Sequence, residues 1–392
     1  MPDSTPHIAS PTDLAAVREI VLGNIITSAE TPSPTFGEEA LAAFITNRFK
    51  ELELTNISID EAGNAAGLLL GSQDGDMEDR RTILVVAHTD KIWPADTNHT
   101  ADVGAKEIVG RGIADNSVGV GALISLPKVL KELGIKLKAD LLLVGTTKSF
   151  GGGDLAGIRY FLEHAKPQIA AGICLEGIEL GRLSFSSTGM LRGEIIVKSD
   201  DTGPCGVIGI LATIVTRILE IKTLAELNTE VLLGSIEAGA GYNEPPRRGI
   251  LKFEIRSEDA ENVSRIHRRI KEIVEATDAH CDAKCVLDVL AKRTPGEIRE
   301  GHPLVNSARQ ILKKLNVEPC VGPSVSELSA LLDRRIPALT LGITRGKNRH
   351  TENETIEIDP IFTGLAQIVS ILQFIDGADD ETLNFSHDAS NE

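Results

Sequence analysis

Aromatic residues are scarce. Phe, Tyr and Trp make up 3% of the 392 residues, with a single Trp and two Tyr. Stacking platforms for nucleic-acid bases are therefore not expected. A basic excess is missing too: 40 Lys and Arg stand against 57 Asp and Glu, a formal charge of −17. That excludes the electrostatic footprint of a nucleic-acid or anionic-membrane binder. No uninterrupted apolar run reaches the roughly 18 residues that cross a bilayer. The opening residues, MPDSTPHIASPTD, carry neither the basic n-region nor the apolar h-region of a secretory signal, so a cytoplasmic location is expected. The five cysteines (Cys174, Cys205, Cys281, Cys285 and Cys320) are an odd number. Cys281 and Cys285 form the one close pair and lack a second pair to make a structural zinc site. All five read as reduced thiols.

What is present is a globular composition, 42% hydrophobic and 25% charged, in a chain long enough for two domains. Helical periodicity marks residues 12–29, with Thr12 or Asp13 as cap, and residues 38–52. Strands are expected over 55–60, 65–70, 83–87, 139–145 and 171–175, with further helices over 118–130 and 155–164. Strands alternating with helices make an α/β sheet covered on both faces. From about Gly189 to Lys292 the order becomes β-α-β-β-α-β, the ferredoxin-like arrangement. The α/β pattern then resumes with a strand at 338–341, the loop GITRGKNRHTENE and a helix at 361–374. This predicts one domain of residues 1–186 and 293–392 with a second, 187–292, inserted into it. Residues 1–12 read as a loose tail and the acidic end, DGADDETLNFSHDASNE, as disordered.

The chain is organised around residues 83–121. The apolar run ILVVA ends in His88-Thr89-Asp90, which sets an imidazole and a carboxylate at the C-terminal end of a buried strand. A glycine-bracketed turn, Gly110-Arg111-Gly112, then delivers Asp115 ahead of the 118–130 helix. Sites in open α/β sheets gather beyond the carboxyl ends of the strands, where such residues could hold a metal ion. A structural histidine with a helix-capping aspartate would look the same in this stretch alone. Glu176, after its strand, and His350, in the late loop, extend the set. Two His with two or three carboxylates is a ligand mix that zinc accepts. A shared carboxylate such as Asp115 could bridge two ions about 3.5–4 Å apart. Asp90, two residues after His88, could take that ring's second N–H.

The order His88-Thr89-Asp90, GRGIADNSVG, Glu176 after a strand and His350-Thr-Glu-Asn-Glu354, together with the inserted β-α-β-β-α-β segment, carries a resemblance. It resembles the glutamate carboxypeptidase, aminoacylase and peptidase T family of co-catalytic zinc peptidases (clan MH), from about residue 13 to 375. The resemblance implies a mixed-sheet zinc-peptidase fold with an inserted lid, often the homodimer surface. It also implies hydrolysis of amide bonds in small peptides or N-acyl amino acids with one or two zinc ions. In that pattern His88, Asp115 and Glu176 are ligands of one ion, with Asp115 bridging, and His350 is a ligand of the second. Asp90 orients His88, and Arg256, in LKFEIRSED, grips the substrate carboxylate. Read without the family, Arg256 is a surface salt-bridge residue.

Where the chain departs from that family bears directly on catalysis. Family enzymes carry a Glu-Glu pair after the strand equivalent to residues 141–145, the first as general base and the second as metal ligand. Here Lys148 and Ser149 stand at those positions. A protonated Lys cannot accept a proton, and a neutral hydroxyl is a poor zinc ligand. The lid histidine that stabilises the oxyanion in many relatives is replaced by Pro204-Cys205-Gly206, and the usual Ser/Thr-Asp pair by Gly322-Pro-Ser-Val-Ser-Glu327. Losing a general base typically removes roughly 10²–10⁴-fold in rate, and losing an oxyanion donor about 10²–10³-fold. Asp154, Glu179 and Glu327 are the spare carboxylates that could stand in, although Asp154 reads more simply as a helix N-cap. Two readings result: an active metal-dependent amide hydrolase, and a catalytically degenerate homologue with a binding or regulatory role.

Overall fold

A computed structural model describes residues 10–75, 80–201, 203, 206–223, 228–281 and 283–385. The chain divides into two compact units, one running up to Ser186 and resuming at Glu297, the other being Ser187–Gly296. The first unit opens with a 3-10 stretch (Pro11–Val17) and α1 (Arg18–Glu30). Ser10, rather than Thr12 or Asp13, is the cap, in a capping box with Asp13. Pro11 then fits the first helical position, where no backbone N–H is needed. There follow α2 (Glu39–Glu51), β1 (Thr55–Ile59), β2 (Ala65–Leu69), β3 (Thr82–His88), β4 (Asp102–Val103), β5 (Glu107–Val109) and α3 (Val118–Glu132). Next come β6 (Asp140–Thr146), α4 (Ala156–His164), β7 (Ile169–Glu176), β8 (Arg182–Ser184) and β9 (Ser186–Ser187).

The second unit contains β10 (Gly189–Lys198), α5 (Val207–Leu219), β11 (Glu230–Ala238), β12 (Arg248–Ser257), α6 (Ala260–Asp278) and β13 (Lys284–Arg293). Its four strands form one antiparallel sheet in the order β11-β12-β10-β13. α6 is amphipathic, burying Val263, Ile266, Ile270 and Ile273 at helical spacing, and these join Ile210 and Ile214 of α5 with Ile195 and Phe253 of the sheet in a separate core. β13 stays paired with β10 as far as Arg293, opposite Met190, so the unit extends beyond residue 292. After β14 (Gly296–Glu297) the first unit is completed by α7 (Pro303–Lys314), β15 (Cys320–Val321), α8 (Leu328–Asp333), β16 (Ala338–Gly342), β17 (Gly346–Lys347), β18 (Thr355–Glu357) and α9 (Pro360–Gly377).

The main sheet of the first unit has the order β1-β2-β6-β3-β7-β16-β8-β15. Its centre, β6-β3-β7-β16, is parallel, while β2 and β8 run antiparallel to their inner neighbours. Every residue of β3 and β6 is buried, as for strands covered on both faces. Residues Ile113–Glu132 and α9 have the length and hydropathy of membrane spans, but 94% and 67% of those apolar windows are buried in the protein. They are core helices. Register sets up the site: His88 is level with Thr146, Val86 with Cys174, and Glu176 with Gly342. The carboxyl ends of the four central strands therefore finish on one line.

A second, small sheet, β17-β18-β5-β4, has no counterpart among the strands expected from sequence, and β17 falls within the expected loop GITRGKNRHTENE. Strands of two or three residues are too short for a periodicity to register. The acidic end also differs from expectation. Asp376 accepts hydrogen bonds from the N–H groups of Lys138 (3.0 Å) and Ala139 (2.7 Å), Leu383 is buried in the core, and Arg335 lies 5.5 Å from the ring centre of Phe385. Two apolar anchors within a polar tail order it as far as Phe385. Residues 1–9 and 386–392 lie outside the described residues.

Candidate metal centre

His88 and Glu176 are the last residues of β3 and β7, so the sheet itself fixes their backbones. Asp115 arrives by a different route. After β5 the chain turns at Gly112 (φ 71°), where a Cβ would come within 2.7 Å of the Lys91 side chain; only glycine fits. The peptide joining Asp115 to Asn116 is cis. One oxygen of the buried Glu354 carboxylate accepts from the N–H groups of Ala114 (3.0 Å) and Asp115 (3.3 Å), and the other accepts from the N–H of His350 (3.0 Å). Glu354 thus ties the Asp115 turn to the His350 loop, and the pairing of β18 with β5 holds both together.

The side chains converge. His88 Nε2 lies 3.0 Å from Asp115 Oδ1, and His350 Nε2 lies 2.6 Å from Asp115 Oδ2. One ligand atom each from His88, Asp115 and Glu176 falls within 4.8 Å of the others, and all three residues are buried. His88 Nδ1 faces Asp90, 3.2 Å from its carbonyl oxygen and 3.5 Å from Oδ1. With the Nδ1 proton directed there, the Nε2 lone pair is left for a metal. Asp90 has contacts beyond the imidazole. Its Oδ2 accepts from Thr35 Oγ1 (2.9 Å) and from the N–H groups of Ser149 (2.9 Å) and Phe150 (2.8 Å), binding the bend after β6 to the end of β3.

Electrostatics match the geometry. Burial works against a charged His88, yet hydrogen bonds to Asp115 and Asp90 and the fields of Asp115 and Glu327 raise its pKa well above the ordinary value. Burial also penalises ionised Asp115, but His350, His88 and Arg349 hold it well below the usual carboxylate range. Glu176 moves the other way, raised by burial and by the charge of Asp115. The proton gathered between His88 and Asp115 is one that a divalent cation displaces on binding. An imidazole and two carboxylates, close together and with the imidazole oriented from behind, form a donor set that fits one such ion at His88, Asp115 and Glu176.

The bend after β6 is built differently. Lys148 sits in the left-handed region (φ 57°), and its N–H donates to Glu38 Oε1 at 2.9 Å. The Ser149 hydroxyl donates to Glu327 Oε1, which also accepts from Thr146 Oγ1 at 3.2 Å. A buried carboxylate from the start of α8 thus stands beside the residue where the resemblance places a glutamate. Asp154 pairs with Arg159 (3.0 Å) and Glu179 with Arg182 (3.2 Å). Asp154 is not a helix cap: Leu155 precedes α4, with no side-chain cap. Arg256 belongs to the second unit and pairs with Glu254 of its own strand. Pro204 and Cys205 lie outside the described residues.

Three further residues were not singled out from sequence. Arg349 donates through Nε to Asp115 Oδ2 (2.7 Å) and through Nη2 towards Glu176 Oε2 (3.5 Å). The Phe150 ring lies edge-on to His88 and His350, with centroids 5.0 and 6.0 Å away. Lys91 is buried and donates its three protons to the carbonyls of Ser28 (2.6 Å), Ala29 (2.8 Å) and Thr31 (2.8 Å) at the end of α1. The signals were faint: a cation next to His350, and an aromatic in a glycine-rich bend of a chain with few aromatics.

Residues 84–373 match the sequence model of peptidase family M20/M25/M40. Over 369 residues the chain is 24% identical to the LysW-lysine/LysW-ornithine hydrolase of Sulfurisphaera tokodaii, covering 91% of this chain and 95% of that protein. Among solved structures, the fold is similar to aminopeptidase PepT from Bacillus cereus (TM-score 0.73, 19% identity, 91% of this chain and 98% of that chain). It is similar also to YXEP from Bacillus subtilis, a dinuclear metal binding peptidase (TM-score 0.67, 14% identity, 92% and 98% covered). With the family pattern running through most of its length and through the strand ends that carry His88 and Glu176, the chain belongs to peptidase family M20/M25/M40.

Proposed function

We propose that the chain is a metal-dependent hydrolase of amide bonds in small peptides or N-acyl amino acids. The observation that carries this reading is the convergence of His88, Asp115 and Glu176 within 4.8 Å, with His350 on the second oxygen of Asp115. The similarity to a named hydrolase of LysW-lysine and LysW-ornithine supports it. A divalent ion, with zinc the ordinary choice for this donor set, would polarise the scissile carbonyl and acidify a water when bound.

The remaining tasks fall to the chain's own side chains. Asp90 keeps His88 in one tautomer, and Phe150 packs edge-on against the buried His88 ring. Glu327 is the proton acceptor in this reading. Its Oε1 is held by Ser149 and Thr146, its Oε2 makes no hydrogen bond among the described residues, and Asp154 and Glu179 are committed to arginines. A carboxylate so placed can take a proton from the attacking water and return it to the leaving amine. The same reading carries a cytoplasmic location and a homodimer through the inserted unit, whose sheet has β11 and β13 as its edge strands among the described residues.

The second reading, a binding protein without turnover, is favoured by one observation: no carboxylate occupies position 148 or 149. Zinc-loaded protein offered a panel of dipeptides and N-acyl amino acids, with amine release followed by chromatography, separates the two. The expected result is turnover that a chelator abolishes and zinc restores, reduced about 10²–10⁴-fold in Glu327→Gln. Bound zinc with no turnover across the panel would favour the second reading.

A further inference from the structure

We propose that Arg349 is a built-in cation in the place a second ion holds in a dinuclear relative, so that this chain binds one divalent ion per molecule. The inference rests on the metal-dependent reading above and narrows it. The two oxygens of Asp115 are used unequally. Oδ1 faces His88 at 3.0 Å, and one ligand atom each of His88, Asp115 and Glu176 lies within 4.8 Å of the others, with Arg349 Nη2 reaching only Oε2 of Glu176, at 3.5 Å. Oδ2 has two partners already, His350 Nε2 at 2.6 Å and Arg349 Nε at 2.7 Å. A carboxylate oxygen has two lone pairs, and both point at nitrogen.

The third ligand that a second ion would need is not at its usual position, and the nearby Glu327 carboxylate accepts through Oε1 from Ser149 and Thr146. Ser149 stands at that position, neutral and donating to Glu327. Neutral oxygen in place of a carboxylate weakens the position, and the neighbouring guanidinium adds repulsion that does not fade with pH, since arginine stays protonated. Relative to a glutamate at 149 and no guanidinium, a serine with an arginine leaves the site two charges more positive. That is the charge of one divalent ion. The loop holds Arg349 in place: Asn348 and His350 on either side are left-handed (φ 60° and 64°), and the Thr351 N–H closes the turn onto the Asn348 carbonyl at 3.1 Å. The second position therefore does not fit an ion, whereas the first does.

Metal content tests this without reference to turnover. Wild-type protein, Ser149→Glu, Ser149→Glu/Arg349→Gln and Arg349→Lys are dialysed to equilibrium against micromolar zinc. Metal per chain is then read by elemental analysis, with circular dichroism confirming the fold. One ion is expected in wild type, in Arg349→Lys and in Ser149→Glu, and two in the double variant. Two ions in wild type, two in Ser149→Glu alone, or one in a folded double variant would each overturn the role given to Arg349. None of these outcomes touches the hydrolase reading. No zinc in wild type would instead remove the metal-dependent reading itself, which keeps the two failures apart.

Discussion

Asp115 separates two sides of unequal build. On the Oδ1 side, His88 and Glu176 end adjacent parallel strands, and the hydrogen-bond ladder fixes their backbones. Facing Oδ2, His350 and Arg349 sit on a bend, as Ser149 does after β6, with Lys148 and His350 in left-handed conformations. The difference teaches where a site tolerates change. A residue at a strand terminus cannot be moved without moving the sheet, whereas a bend can exchange a carboxylate for a hydroxyl and leave the core untouched. This chain keeps His88 and Glu176 at strand ends and departs from the resembled pattern on a bend, at Lys148 and Ser149.

The largest effect expected is at the residue the two sides share. Asp115→Asn preserves shape and removes the charge that His88, His350 and Arg349 all face. Outer partners of a metal typically contribute 10–100-fold in affinity. Loss of this inner carboxylate should exceed that, weakening zinc binding by more than about 100-fold in a competition titration with a chromophoric chelator. Retained affinity would mean that Asp115 is not a ligand, and the comparison of its two sides would have no basis.

The same division explains what the sequence revealed. His88 and Glu176 were legible because each ends an apolar β-branched run, and that pattern marks a buried strand of a parallel sheet. Asp115 was legible from the glycines that bracket its turn. The link between Asp115 and His350 was not, because it runs through β4, β5, β17 and β18, which are two or three residues long, and through Glu354, which accepts from His350 in its own loop and from Ala114 and Asp115, 240 and 239 residues before it. The position of Glu327 beside Ser149 depends on how α8 approaches the end of β6, a tertiary fact with no local signature. Asp154 shows the converse: a favourable capping residue whose side chain instead pairs with Arg159.

A smaller effect is expected at the joint between the sides. Burial raises the pKa of Glu354, and the N–H groups of Ala114, His350 and Asp115 pull it back. Glu354→Gln leaves one oxygen where two accepted, so either the Asp115 turn or the His350 loop loses its anchor. Zinc affinity should fall about 10–100-fold, within the range for partners that orient ligands. Unchanged affinity would show that the pairing of β5 with β18 alone sets the geometry.

Lys91 tests whether the rigid side draws its order from the body of the protein rather than from the metal. Its three protons meet three carbonyls at the end of α1, the end of a helix where a cation is stabilising. Lys91→Met leaves those acceptors without a donor and should reduce folding stability by about 2 kcal/mol, with zinc per chain unchanged. The charge has a pH signature. Burial pulls the Lys91 ammonium down to about 7 from an ordinary value of 10.5, with the Glu354 carboxylate opposing it. Between those values the unfolded chain binds more proton than the folded one, so this group makes stability rise with pH from about 7 upward. Denaturant unfolding of wild type and Lys91→Met at several pH values from 6.5 to 9.5 (roughly the span over which the ammonium titrates) would read the difference. The gap between the two proteins should widen in favour of wild type as pH increases. Parallel curves would mean that the three carbonyls hold the ammonium protonated throughout, and that Lys91 acts as a fixed cap rather than a titrating one.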